Sequence, residues 1–111
     1  SQVDMKFDIN VSGASVTVTP SADYTYVCYL ASKASWDEYS DHLDVARQYI
    51  SVAKSYGMLD SIICTGRQVL DLSDMIDNAG EYVFYAVGYR QSGEDRGLTT
   101  DISYVTFTYN K

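Results

Sequence analysis

The residue with the widest chemical range in this chain is its one histidine, His42, because imidazole moves protons and binds metals near neutral pH. Asp37, Glu38, Asp41 and Asp44 surround it in sequence. On an unbroken helix Glu38 would share its face, and one His–Glu pair supplies half of a zinc site at most. A helix histidine beside an acidic first turn accounts for the same pattern, and is the preferred reading. Asp71, Asp74 and Asp77 could pair for acid–base work or calcium, but they lack the spacing of an EF-hand loop, and turns use aspartate in the same way. No serine stands in a Gly-x-Ser-x-Gly elbow. Gly93 and Gly97 lack the lysine and serine of a phosphate loop. Asn10-Val11-Ser12 is a glycosylation sequon. Cys28 and Cys64 lie 36 residues apart, with no CxxC, so they are either one disulfide or two free thiols and not a zinc pattern. The expectation is no catalytic residue, no cofactor and no metal. The alternative, a small hydrolase or metal-dependent enzyme centred near His42, requires a cleft with convergent carboxylates.

Any such site must be positioned by a single domain, 1–111, because 111 residues leave no room for two. With 46% hydrophobic residues the chain can build a true core. Eleven tyrosines against three phenylalanines suit half-buried strands and contact surfaces. A net charge of −7 disfavours nucleic acid and anionic membrane surfaces as partners. No apolar run approaches the ~20 residues of a membrane span. Ser1 in place of an initiator methionine predicts a mature or excised piece.

Met5–Val11 alternates with Met5, Phe7, Ile9 and Val11 on one face, and Ser15–Thr19 alternates again before Pro20 interrupts the ladder. Tyr24–Ala31 and Glu81–Arg90 are apolar on both faces, which predicts strands covered on both sides. Between them lies a helix over about 36–56, entered through a Ser35…Glu38 capping box or a second cap at Ser40-Asp41, and ended by Gly57. Its apolar stripe is Tyr39, His42, Leu43, Ala46, Tyr49, Ile50, Ala53 and Tyr56. Residues 58–66 read as a short strand or loop plug around Ile62 and Ile63, Gln68–Leu72 as a short strand, and Asp101–Tyr109 as the last strand. The fold class is mainly β: a sandwich of about seven strands with one amphipathic helix inserted after the third. The helix must bury its stripe on the surplus apolar face of the two double-sided strands.

From Phe7 to Tyr109 the chain resembles a fibronectin type III (immunoglobulin-like) module. That family carries Leu-x-Pro-x-Thr-x-Tyr before its sixth strand, and Ile76, Asn78, Gly80 and Tyr82 stand at those positions. The resemblance makes Tyr82 a tyrosine corner, bonded back to the turn before it. Val18-Thr19-Pro20 stands where the family has its tryptophan. VTVTPSADYTYVCYL, EYVFYAVGYR and GLTTDISYVTFTY are similar to a variant found in surface lipoproteins of gut Gram-negative anaerobes. The resemblance implies a non-catalytic, monomeric module at the cell surface (as an outer-membrane lipoprotein) or secreted, serving as spacer or as binder of a protein or glycan. No catalytic residue carries over, and loop 91–97 reads Asp-Arg-Gly where integrin-binding modules have Arg-Gly-Asp. The candidate contact residues are Tyr85, Tyr89, Arg90, Glu94 and Arg96, with Tyr104 able to extend a tyrosine stripe unless the helix covers it. A third reading is an assembly unit that donates an edge strand.

Overall fold

A computed structural model describes residues 2–93 and 96–110. Seven strands form two antiparallel sheets. The first holds β1 (Phe7–Ser12), β2 (Ser15–Pro20) and β4 (Gln68–Asp71), in the order β1-β2-β4. In the second, β5 (Gly80–Arg90) is central: it pairs with β3 (Tyr26–Ser32) on one side and with β6 (Gly97–Leu98) and β7 (Ser103–Tyr109) on the other. Between β3 and β4 run α1 (Lys33–Asp37), α2 (Leu43–Ser55) and the single turn α3 (Leu59–Ile62).

The strand alternation sorts side chains into two cores. Val16 and Val18 of β2 meet Tyr26 and Cys28 of β3 and Phe84 and Ala86 of β5 between the sheets, an arrangement consistent with a sandwich. The opposite faces of β3 and β5 present Val27, Val83, Tyr85, Val87 and Tyr89 to Val45, Ala46 and Ile50 of α2 and to Trp36 of α1. The helical layer therefore covers the surplus apolar face, as the double-sided strands require. Tyr29 stacks on Tyr49 of α2 with ring centroids 4.5 Å apart, extending that cover toward the β3 edge.

The helix itself departs from the sequence expectation in three ways. It starts at Lys33, because the Ser32 hydroxyl accepts the Ser35 N–H at 3.1 Å; Ser35 is inside α1 and makes no capping box with Glu38. It is broken at 38–42, where the Asp41 carboxylate accepts the Leu43 N–H at 3.0 Å, a local bond that competes with helix continuation. It buries Val45, which lies outside the expected stripe, while Tyr56 at the C-cap is 76% exposed. The expected stop holds: Gly57 at φ 67° donates to the Lys54 carbonyl and Met58 donates to that of Ala53, the two bonds of a Schellman motif. Residues 59–62 form a helical turn, not a strand, and β6 interrupts the loop expected over 91–100.

Two further details fix the sheet ends. The Tyr82 hydroxyl donates to the Asn78 carbonyl at 2.8 Å, the bond expected of a tyrosine at this corner. At the far end of β5, the register toward β6 and that toward β7 differ by two residues, and Thr99 and Thr100 fill the bulge. The Gly88 N–H donates to Thr100 Oγ1 and the Thr99 N–H to the Gly88 carbonyl, both at 2.8 Å. Both threonines are buried.

Candidate functional site

His42 packs against aromatic rings. It precedes α2, where its ring stacks on Trp36 with centroids 4.0 Å apart and lies edge-on to Tyr104 at 6.0 Å. Glu38 caps the end of α1, so the helix break removes the shared face that an i,i+4 pair requires. Among the described residues no three His, Cys, Asp or Glu side chains cluster in a way that could hold a metal ion. Asp71 instead caps a 3-10 turn, Leu72–Asp74, by accepting from both the backbone and hydroxyl of Ser73. Those bonds hold its carboxyl below the usual range.

The candidate contact residues part company. Tyr85 and Tyr89 are 1% and 5% exposed, because the helical layer lies over that face of β5; they form no exposed stripe. Burial pushes the Tyr85 phenol well above its ordinary pKa, so it is a neutral core group. Tyr104, on β7, is 49% exposed but leans its ring on Trp36 at 4.9 Å. Arg90 closes β5 and is half-buried. Glu94 lies outside the described residues. Arg96 is exposed and immediately precedes β6.

Arg96 and Tyr89 meet again in a groove of about 380 Å³ at the rim of the helical layer. One wall is a face of α2 carrying Arg47, Ile50, Ser51 and Lys54, residues spaced three, one and three apart and so aligned along one side of a helix. The other wall is Tyr89 with Arg96, Gly97 and Leu98. Three of the protein's eight lysines and arginines thus line one groove of a chain whose net charge is −7. Arg47 is partly neutralised: it donates to Asp44 at 2.7 Å and reaches Asp41 at 3.4 Å, and the Asp44 bond raises its pKa further. Lys54 and Arg96 form no ion pair among the described residues. The groove therefore combines Lys54 and Arg96, neither ion-paired among the described residues, with a serine hydroxyl and the apolar side chains of Ile50, Leu98 and Tyr89. Such a surface has the chemistry to hold an anion whose body is partly apolar. Sequence reasoning named Tyr89, Arg96 and the helix face in general, but not Arg47, Ser51 and Lys54. The signal was present as Arg47, Ser51 and Lys54 at helical spacing in an otherwise acidic chain.

A second, larger groove of about 590 Å³ runs where β1 and β7 approach, lined by Ile9, Val11, Val105 and Phe107 among others. Both strands are sheet edges in the described residues, and these four apolar side chains are only half-buried. No helix among the described residues is long and apolar enough to cross a membrane. No family model, curated protein or solved structure matches the chain.

Proposed function

We propose that the protein is a non-catalytic module of the fibronectin type III kind, displayed at a cell surface or secreted, that binds an acidic glycan in the groove between α2 and β6. The observation that carries the binding reading is the placement of Lys54 and Arg96, neither ion-paired among the described residues, on opposite walls of one groove in an acidic protein. A sugar ring offers apolar C–H faces to the half-buried Leu98 and the groove edge beside it, while its carboxylate or sulfate meets the cations. Support for the fold family comes from the strand partition. β1-β2-β4 faces β3-β5-β7, with the helices standing between the third and fourth strands, and Tyr82 makes the corner bond. The packing of His42 between rings favours a non-catalytic role for it.

The test is a two-dimensional amide NMR titration against sialylated, uronic-acid and sulfated oligosaccharides, with neutral sugars and acidic peptides as comparison. Localised shifts at 47–54 and 96–98 that vanish in Lys54→Ala/Arg96→Ala are the expected result. Shifts with acidic peptides alone would replace the glycan by a protein partner. No shift with any anionic ligand would leave the module a spacer.

The half-buried apolar groove between the β1 and β7 edges favours a second reading, an assembly unit that accepts an added strand. Sedimentation across a concentration series separates the two: a monomer at all concentrations removes self-assembly.

A further inference from the structure

Cys64 does not sit in a plain loop. It forms an isolated antiparallel pair with Tyr26 at the outer edge of β3. The Tyr26 N–H donates to the Cys64 carbonyl at 3.0 Å, and the Cys64 N–H donates back at 2.8 Å. Residues that exchange both bonds are directly opposed, with side chains on the same side. Cys28, two residues along the same strand, faces that side too. All three side chains pack in the core between the sheets. Both thiols are free in this structure and pack against the same core cluster, and the Cys64 thiol donates to the Ile62 carbonyl at 3.7 Å. Their access differs: Cys28 is 7% exposed and Cys64 only half-buried.

We infer that Cys28 and Cys64 are a disulfide site, closed by thiol–disulfide exchange with an external disulfide and fastening the α3–β4 connector to the edge of β3. Cys64 is the entry point. It is the more accessible thiol, and the neighbouring Cys28 thiol lowers its pKa, whereas Cys28 is raised by Cys64 and by burial. The Cys64 thiolate attacks one sulfur of the external disulfide, forming a mixed disulfide and releasing one thiol. Cys28 then loses its proton and attacks the Cys64 sulfur, expelling the second thiol. Two protein S–H bonds and one external S–S bond become one protein S–S bond and two external S–H bonds. The external disulfide is the oxidant, and the cysteines are oxidised. The bond would close a 36-residue span containing all three helices, so the whole helical layer would be tied at both ends to one strand.

The test uses the whole folded protein, reduced, then equilibrated with oxidised glutathione, quenched by alkylation and mapped by mass spectrometry. The expected product has lost both alkylation sites and yields a Cys28–Cys64 cross-linked peptide from monomeric protein. Cys28→Ser should stop at a glutathione adduct on Cys64, and Cys64→Ser should leave Cys28 unmodified. Two alkylatable thiols after equilibration, a lasting adduct on Cys64 in the unsubstituted protein, or oxidation seen only as linked dimers would each overturn the inference. The first readout needs no variant, so a misfolded serine substitution cannot obscure it.

Discussion

Gly88→Ala is the sharpest single perturbation of the stitch that sets the groove's second wall. Gly88 has no positive φ, so its backbone would accept alanine; the obstacle is space. A Cβ there would run into Thr99 Oγ1 and come within 2.8 Å of Thr100 Cγ2. Neither threonine can swing outward, since they are 2% and 6% exposed and Thr100 Oγ1 both accepts the Gly88 N–H and donates to the Asp101 carbonyl. Overpacking of this kind costs about 1–3 kcal/mol. Straining or losing the Gly88–Thr100 bond adds roughly 1 kcal/mol. The lower unfolded-state entropy of alanine returns about 0.4–1 kcal/mol. The net expectation is about 1–3.5 kcal/mol, or a fall in Tm of roughly 4–14 °C for a domain of this size. Urea unfolding followed by the fluorescence of the single tryptophan, Trp36, measures it. Thr99→Ala removes the nearest obstructing atom, so the double variant should recover part of the loss, a coupling that a double-mutant cycle reads directly. A loss below about 0.5 kcal/mol, or strict additivity with Thr99→Ala, would refute the steric argument. Because Thr99 and Thr100 connect β6 to β7, the same variant should also weaken ligand-induced shifts at 96–98.

Tyr82→Phe deletes the bond to the Asn78 carbonyl and should cost about 0.5–1.5 kcal/mol in urea unfolding, with the dispersion of the amide spectrum retained. Trp36→Ala empties the contact between α1, Tyr85 and His42, and should cost about 3–5 kcal/mol by thermal unfolding, near the limit of what a domain this small tolerates. Burial raises the Tyr26 and Tyr85 phenols in the folded state, so stability is full below the ordinary tyrosine pKa of about 10 and falls as pH rises beyond it, by up to about 1.4 kcal/mol per pH unit for each phenol. The part of the tyrosinate absorbance that comes from these buried phenols should therefore appear only with loss of circular dichroism. Closing the Cys28–Cys64 bond should stabilise the fold by about 3–4 kcal/mol on the loop-entropy relation, seen as a higher urea midpoint for the oxidised protein.

Period and two-sided apolarity carried most of the architecture. Tyr26–Ser32 and Gly80–Arg90 are apolar on both faces because each face has its own cover, and that alone placed the helix on the outer side of their sheet. Gly57 was readable because a left-handed C′ residue is a local requirement. The helix start was not, since Ser32, Ser35 and Ser40 are all competent caps and the choice among them depends on where β3 ends. The break was partly readable: the Ser40-Asp41 pair offered a second cap, and the Asp41 carboxylate does accept the Leu43 N–H at the start of α2. The candidate groove was half legible. Tyr89 and Arg96 flank one loop, but their meeting with Lys54 is a product of tertiary packing.

The helical layer has a consequence for how such a module could recognise anything. In a sandwich whose outer sheet faces are bare, the β3-β5-β7 sheet is itself a flat binding platform. Here α1 and α2 occupy the middle of that face and bury Tyr85 and Val87 beneath them, leaving Tyr29 and Tyr104 partly exposed at its two sides. What the insertion takes from the sheet it returns as a rim: the seam where α2 stops and β6 begins. A seam between a helix and a strand is concave, and its two walls can vary independently in sequence because one is an insertion and the other a loop. In this chain the walls supply Lys54 and Arg96 from opposite sides. Reversing either charge should therefore abolish anion binding while leaving the urea midpoint unchanged, since both side chains are exposed and neither supports the core. If Lys54→Glu left the glycan shifts intact and only Arg96→Glu removed them, recognition would belong to the loop alone, and the helix would be cover and nothing more.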